Sequence, residues 1–462
     1  MASRRTDGLC VGAVVARTGR SARPGEPLDY VLDRLAPHLA RGTDGTGLRP
    51  VRLARRDSRC EADGARRAVA ELVRDEGASV VVAMGGGAVL PAVAEACEVL
   101  GIPCVSTVFP WHAYLYGGGA EPPVRPRRWT YHFAWGLDDI ATVFAEMWER
   151  VGSGRTVGAL WNDGLQGRLL RHPRHGFPPV AAARGHTLVD PGGYREPAAC
   201  FASHIRRFQE TGVEIVTSAA TVEDLALFHR QAGEAGLRPR LITCSRRLTC
   251  PRANAATDGL RGTRIATLVY WTPRHPFRSS LDGTTAQQLA RDYRRATGRL
   301  WLQPLGPAHA LLEVAAHALA TAPDPTDRYA VAAAVARMRL DTIAGPLDFT
   351  AGPTPNVALL PLAGGQWRRR HDRAPSWRWS PPPGCRASHR TPTSRSGSEG
   401  RSGTDGPRGG GAEGRPGPST PPADTPLPWP RAGPRLRTAE LWGVTHDRRR
   451  CGGAHRPGGG AR

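Results

Sequence analysis

The chain has 462 residues, of which 40% are hydrophobic, and it carries a formal net charge of +22. This length is enough for two ordinary domains with a sizeable core. Residues 368–462 hold 19 Arg against 7 Asp and Glu, a net charge of +12, so more than half of the excess lies in the last fifth of the chain. Lysine is absent, and no basic stripe alternates with aromatic residues before that segment. We therefore expect no nucleic-acid partner.

Cysteine spacing and hydropathy exclude several other classes. None of the nine cysteines forms a CxxC pair, so we expect neither a zinc site nor a disulfide framework, with a single Cys244–Cys250 bridge left open. The opening residues Met1–Gly8 are short and charged and leave no room for a signal peptide. The most apolar stretch, Ala78–Cys104, is interrupted by glycine, proline and glutamate, so it does not predict a membrane span.

Strand and helix patterns alternate along the first hundred residues. The predicted strands are Leu9–Ala16, Pro50–Leu53, Ser79–Met84 and Ile102–Val105. Amphipathic helical spacing fills the intervals, as in Leu28, Val31, Leu32, Leu35 and Leu39. Strands that read as unbroken apolar runs between helices predict a parallel sheet covered on both faces.

The alternation of strand and helix patterns resumes after a turn-rich segment at Gly117–Arg128. It predicts further strands at Val157–Trp161, Val213–Val216 and Leu241–Cys244. We interpret Ile265–Trp271 as a strand that crosses between domains, followed by three helices. Pro346–Phe349 and Val357–Leu360 read as a final strand pair. The sequence thus predicts an α/β protein with two successive wound sheets.

The composition changes near the end of the chain. Residues Arg368–Arg462 are rich in Pro, Gly, Ser, Thr and Arg, without any apolar period. Such a segment buries too little apolar area to offset its conformational entropy. We predict that it is disordered, and a frameshifted or read-through end is an open explanation for it.

Four loops are candidates for ligand contact, because open α/β sheets bind ligands at the carboxyl ends of their strands. Gly85–Ala88 could bind an anion through backbone N–H groups beside a helix N-terminus, with a plain packing turn as the alternative. The other loops are Ser106–Trp111, Trp161–Asp163 and Cys244–Arg247. Trp271 could form a wall of the site, with a buried core position as the alternative.

Catalytic and metal-binding motifs are absent from the sequence. No GxSxG elbow, HExxH motif or Cys–His signature occurs, so we expect no enzyme and assign no catalytic residues. His172 and His175 lie in a loop rich in Pro and Arg, where we expect a solvated pair rather than a metal site. We therefore expect neither a metal nor a cofactor.

Several stretches together resemble the leucine/isoleucine/valine-binding type of substrate-binding protein, the type I solute receptors of ABC transporters. They are Pro110–Trp111, Trp129–Ile140, Met147–Trp148, Trp161–Asp163, Leu188–Gly192 and His275–Ser280. The resemblance implies two Rossmann-like lobes joined by three hinge crossings. It assigns residues 8–132 and 272–343 to the N-terminal lobe and residues 133–271 and 344–367 to the C-terminal lobe, leaving 368–462 as the tail. It also implies a ligand between the lobes, an ABC permease with ATPase subunits as partners, and an extracytoplasmic location.

The resemblance assigns the contact residues position by position. Together with the four loops, it gives these candidate ligand-binding residues: Gly86, Gly87, Ala88, Thr107, Val108, Phe109, Trp111, Asn162, Gln166, Thr221, Arg246 and Trp271. The serine or threonine hydroxyl usual in the first loop is missing, which leaves backbone donors there.

One departure from the family pattern concerns the ligand. The acidic residue that would hold an amino acid's ammonium falls near Ser245–Arg246, and an arginine there attracts a carboxylate instead. We therefore expect a small polar or anionic ligand, an amino acid or a carboxylic acid. Because no signal peptide is visible, a cytoplasmic ligand sensor of the same fold and a decayed, non-functional copy are the alternatives.

Overall fold

Two mainly parallel β-sheets, each covered by helices, make up the part of the chain that the structure describes. The structure is a computed structural model and describes residues 8–19, 22–42, 49–116, 127–151, 155–246, 264–370 and 373–378. The strands are β1 (Leu9–Val15), β2 (Val51–Asp57), β3 (Val80–Met84), β4 (Cys104–Thr107), β5 (Thr130–Ala134), β6 (Thr156–Leu160), β7 (Thr187–Val189), β8 (Ile215–Ser218), β9 (Leu241–Cys244), β10 (Arg264–Val269), β11 (Arg339–Thr342), β12 (Gly345–Asp348), β13 (Val357–Leu359), β14 (Ala363–Arg370) and β15 (Arg373–Arg378). The helices are α1 (Ala22–Arg41), α2 (Ala62–Arg74), α3 (Val89–Leu100), α4 (Trp111–Tyr116), α5 (Leu137–Glu149), α6 (Leu165–Arg171), α7 (Phe177–Ala183), α8 (Ala202–Glu210), α9 (Val222–Glu234), α10 (Ala286–Thr297), α11 (Leu305–Thr321) and α12 (Arg328–Ala336).

The first sheet has the strand order β13-β5-β4-β3-β1-β2, and all of its pairings are parallel. Every residue of β3 is buried. Val80 and Val82 belong to the core that includes α1 and α11, whereas Val81 and Ala83 belong to the core that includes α2 and α3. Alternate residues of one strand therefore pack against two helical layers, which explains why the strand is an unbroken apolar run.

The second sheet has the order β15-β14-β10-β9-β8-β6-β7. The strands from β10 to β7 are parallel, and β14 and β15 add to β10 as an antiparallel pair. The predicted strand Ile265–Trp271 corresponds for most of its length to β10, which is a member of this sheet, so the crossing itself begins after Val269. Only Tyr270 and Trp271 leave the sheet and connect to the next domain.

The chain passes between the two sheets three times, after β5, after β10 and between β13 and β14. The connecting segments touch one another. Trp135 in the first stacks on Tyr270 in the second with ring centroids 4.3 Å apart, and the Leu360 amide in the third donates to the Ala134 carbonyl at 2.8 Å. The two wound sheets and the three crossings expected from the sequence are thus confirmed.

The last part of the chain differs from the expected arrangement. We assigned residues 344–367 to the C-terminal lobe, but β13 pairs with β5 in the first sheet and only β14 joins the second. The expected pair of Pro346–Phe349 with Val357–Leu360 is also wrong, because β12 pairs with β11. Val357 is fully buried, so this short apolar strand extends a covered parallel sheet rather than a hairpin.

The predicted start of the disordered tail, at Arg368, is also too early in the chain. Strand β14 continues to Arg370, and β15 pairs with it through the opposed positions Trp367 and Trp377. Backbone pairing supplies order here that the composition does not indicate. The remainder of the tail, residues 379–462, lies outside the described residues. No helix in the described part of the chain has the length and apolar character needed to span a membrane.

Candidate functional site

The predicted contact loops of the first sheet lie side by side. The loop Gly85–Ala88 follows β3, and Val108–Phe109 follows β4. Strands β3 and β4 are adjacent and parallel, with Met84 opposite Thr107, so the two loops leave the same edge of the sheet. We call these segments the first-sheet loops.

The glycine loop presents backbone donors beside helix α3. The Gly86 carbonyl accepts hydrogen bonds from the amides of Val89 (3.0 Å) and Leu90 (3.1 Å). The next residue, Pro91, has no N–H. The amides of Gly87 and Ala88 donate to no acceptor among the described residues, and Ala88 is exposed. Because α3 adds the positive end of its dipole, this loop suits a carboxylate or another anion.

The loop after β4 has an apolar face. The Thr107 hydroxyl is fully buried and donates to the Phe133 carbonyl at 2.6 Å, so it holds neighbouring strands together. The Phe109 ring lies over the glycine loop, since a Cβ added to Gly87 would lie 3.1 Å from Phe109 Cζ. The predicted residues Val108 and Phe109 are therefore at this edge, whereas the side chain of Thr107 is occupied within the sheet.

In the second sheet, the side chain of Asn162 organises its own loop. Its Oδ1 accepts from the amides of Gly164 (3.1 Å) and Gly167 (3.2 Å), and its Nδ2 donates to Glu196 at 2.6 Å. Gly167 is required here, because a Cβ on it would lie 1.7 Å from the Asn162 carbonyl oxygen. The predicted contact residue Asn162 thus shapes the loop through all of these bonds.

Arg246 is compensated by a carboxylate that the sequence analysis missed. Its two terminal nitrogens each donate to one oxygen of Glu196 at 2.8 Å. The Arg246 guanidinium holds the pKa of the Glu196 carboxyl below its usual value. The expectation that Arg246 attracts the carboxylate of a ligand did not account for this partner. The pair as a whole is close to neutral, and its side chains are 34% and 28% exposed.

Three other predicted ligand-contact residues lie within helices or next to them. Gln166 lies half-buried in α6. Thr221 caps α9, and its hydroxyl accepts from the Asp224 amide at 3.2 Å. Trp111 begins α4 and is 3% exposed.

Trp271 is fully buried. Its ring packs edge-on against Trp301 with centroids 6.0 Å apart, and it covers Gly306 of α11. Trp271 is thus a core residue and does not form a ligand wall in this structure. The neighbouring candidate Arg247, and Cys250 of the bridge left open above, lie outside the described residues.

Helix α6 of the second sheet approaches the first-sheet loops. Leu165 Cδ2 lies 3.7 Å from the position of a Cβ on Gly87. Nearby, the rings of His112 and His175 lie 6.1 Å apart, and His175 stacks on His172 at 4.8 Å. The expected solvated pair is instead half-buried. The part of the chain that the structure describes contains no group of three His, Cys, Asp or Glu arranged to hold a metal ion.

Several solved structures of other proteins are similar to this chain in fold. The leucine-binding protein LivK from Thermotoga maritima is 14% identical with a TM-score of 0.62, covering 78% of this chain and 95% of LivK. A type 1 periplasmic binding protein from Bordetella pertussis is 15% identical with a TM-score of 0.64, covering 81% of this chain and 100% of that one. A solute-binding protein of an ABC transporter from Rhodopseudomonas palustris, solved with 3,4-dihydroxybenzoic acid, is 16% identical with a TM-score of 0.60, covering 79% and 94%.

At these identities the solved structures establish the fold alone. A search of curated proteins found no match to the chain. A family model described as "Periplasmic binding protein" matches residues 9–368, well over half of the sequence. The chain therefore belongs to the periplasmic binding protein family and has its type I fold.

Proposed function

We propose that this protein is the substrate-binding receptor of an ABC-type transporter and that it binds a small carboxylic acid between its two lobes without transforming it. Family membership supports the receptor role, and receptors of this family work outside the cytoplasm and deliver their ligand to a permease with ATPase subunits. We extend that location and those partners to this chain as part of the proposal. The lobes would close by bending at the three connecting segments.

The observation that carries the ligand class is the pair of amides at Gly87 and Ala88. They stand at the N-terminus of a helix of 12 residues, with no acceptor among the described residues and no N–H on Pro91 to compete. Backbone donors at such a position bind a carboxylate without a counter-charged side chain. The carboxylate would therefore bind to the first-sheet loops.

The residues beside the glycine loop favour a carboxylic acid whose remaining atoms are apolar. Phe109 Cζ and Leu165 Cδ2 lie 3.1 Å and 3.7 Å from the position of a Cβ on Gly87, so both apolar side chains adjoin the glycine loop. An amino acid's ammonium would need an acceptor, and both oxygens of the nearest assigned carboxylate, Glu196, already accept from Arg246 and Asn162. Among proteins with this fold, one solute-binding protein was solved with benzoate and another with 3,4-dihydroxybenzoic acid. We therefore propose an aromatic or aliphatic acid that lacks an amino group.

Calorimetric titration with benzoate and with leucine tests this assignment. We expect benzoate to bind and leucine to bind more weakly or not at all. Ala88→Pro removes one amide donor, and since a hydrogen bond to a charged group contributes about 1.5–3 kcal/mol, benzoate affinity should fall about tenfold or more. Ala88→Ser keeps the amide and should bind like the wild type. Tighter binding of leucine than of benzoate would refute the ligand class.

A second variant tests the role of the Arg246–Glu196 pair. Glu196→Gln removes the compensating charge and leaves Arg246 positive. If the pair lies near the bound acid, benzoate affinity should rise about threefold, a modest effect because the pair is partly exposed. The gain should shrink in high salt. Unchanged affinity at low salt would place the pair away from the ligand.

A further inference from the structure

The turn between β4 and α4, which we define as Val108–Pro110, has an unusual backbone. Val108 has φ = +67° in the left-handed region, where a β-branched residue is rarely found. Such a conformation costs energy and persists only where the surroundings impose it. This turn includes two predicted ligand-contact residues, Val108 and Phe109. The contacts that impose its conformation therefore also determine the shape of the candidate site.

Three hydrogen bonds tie this turn to β5 and to the segment that follows it. The Thr107 hydroxyl donates to the Phe133 carbonyl at 2.6 Å just before the turn, and the Trp111 amide donates to the Trp135 carbonyl at 3.1 Å just after it. Within the turn, the Phe109 carbonyl lies 2.7 Å from Nε2 of His132. Among the described residues, the imidazole is thus the group that hydrogen-bonds the middle of the strained turn.

The contacts of His132 show that Nε2 carries a proton. A carbonyl can only accept, so Nε2 carries the proton and donates it to Phe109. Nδ1 lies 2.8 Å from the Ser106 hydroxyl, and in the neutral ring it accepts from that hydroxyl. Burial lowers the pKa of His132 to about 4, which agrees with a neutral ring. The ring is fully buried and stacks on Tyr114 with centroids 4.3 Å apart, so it has one orientation.

We propose that His132 is a positioning residue for ligand binding, which holds the Phe109 carbonyl and thereby keeps Val108 in its left-handed conformation. This inference rests on the proposed function, since it assigns the turn to the ligand site. His132 itself does not contact the ligand. It acts by keeping the Phe109 ring over Gly87, in the arrangement that the structure shows.

Two substitutions at His132 separate its two hydrogen bonds. His132→Gln retains an amide donor that reaches the Phe109 carbonyl, whereas His132→Asn is too short to reach it but can still contact Ser106. We expect His132→Asn to weaken benzoate binding about tenfold and His132→Gln to stay within about threefold of the wild type. Equal losses in both variants would overturn the proposal. If His132→Asn does not fold, the comparison of His132→Gln with His132→Leu serves instead.

Rescue by glycine tests the mechanism directly. Glycine adopts a positive φ without strain, so Val108→Gly no longer needs the tether. We expect the His132→Asn/Val108→Gly double variant to recover benzoate affinity to within about threefold of Val108→Gly alone. A matched control is His204→Asn, which removes the buried contact of His204 with the Gly192 carbonyl and should show no rescue by Val108→Gly.

A ligand-free measurement separates this proposal from the proposed function. Without the tether, Val108 relaxes and glycine has no strain left to relieve. The change in melting temperature caused by Val108→Gly should therefore be more favourable in the wild type than in His132→Asn. Additive melting shifts would overturn the role of His132 whether or not benzoate binds. Non-additive shifts without benzoate binding would support the tether and refute the proposed ligand.

Discussion

Gly306→Ala tests how the second connecting segment is packed. A Cβ at this position of α11 would lie 2.1 Å from Cδ1, 2.3 Å from Nε1 and 2.4 Å from Cγ of Trp271. Carbon atoms in contact sit about 3.5–4 Å apart, so the ring or the helix would have to move by roughly 1.5 Å. Trp271 is fully buried against Trp301 and has no open space to enter. We therefore expect a loss of about 3 kcal/mol in the free energy of unfolding, at the upper end for overpacking.

Gly233→Ala supplies the matched control. Gly233 also lies in a helix, and a Cβ there would meet only the flexible end of Arg238 at 3.3 Å. Because alanine is the better helix former, this variant should be more stable than the wild type by about 0.5–1 kcal/mol. Urea unfolding followed by tryptophan fluorescence and circular dichroism measures both changes. The packing argument fails if Gly306→Ala unfolds within about 0.5 kcal/mol of the wild type, since overpacking costs more than that.

Acid should destabilise the protein through histidines that are buried or partly buried. Burial lowers the pKa of His112 to about 3 and that of His229 to about 4, whereas both titrate near 6.5 when unfolded. Between these values the unfolded chain binds more protons, so the free energy of unfolding should fall from pH 6.5 towards pH 4. The slope should be up to ~1.4 kcal/mol per pH unit for His112 and smaller for His229, which is partly exposed and screened by solvent. Urea titrations at several pH values measure this slope, and His229→Gln should make it shallower. Thr221→Ala removes the cap of α9 and should cost about 1 kcal/mol in stability, with Thr221→Ser as the control. Because this hydroxyl bonds the helix, benzoate affinity should not change; a loss of affinity without a loss of stability would return Thr221 to the ligand site.

Apolar strands were predictable because their pattern is local. Val80–Met84 reads as a buried strand without any knowledge of its neighbours. Strand β5 was missed because two of its buried residues are polar. Thr130 bonds to Glu98 and His132 bonds to Ser106, and neither partner lies near it in the sequence. The signal that makes this strand stable is therefore tertiary.

The candidate site shows the same limit. The glycine loop was selected because consecutive glycines between a strand and a helix indicate either a backbone anion site or a tight packing turn. The charge of Arg246 was misjudged because its partner, Glu196, lies 50 residues earlier and belongs to no motif. Trp271 was assigned to a ligand wall because an aromatic residue reads alike in a core and in a pocket. The Trp271 ring packs in the space left by the missing Cβ of Gly306, a residue of α11 that is distant from it in the sequence.

The strand order also has a consequence for biosynthesis. Edge strand β13 completes the pairing of β5 in the first sheet, and β14 completes that of β10 in the second. Both lie within Val357–Arg370, after every other strand of the two sheets except β15. A nascent chain therefore has neither half finished until this short stretch has left the ribosome. Completion of both sheets therefore depends on the same short stretch of the chain, so the folding of the two halves is coupled in time.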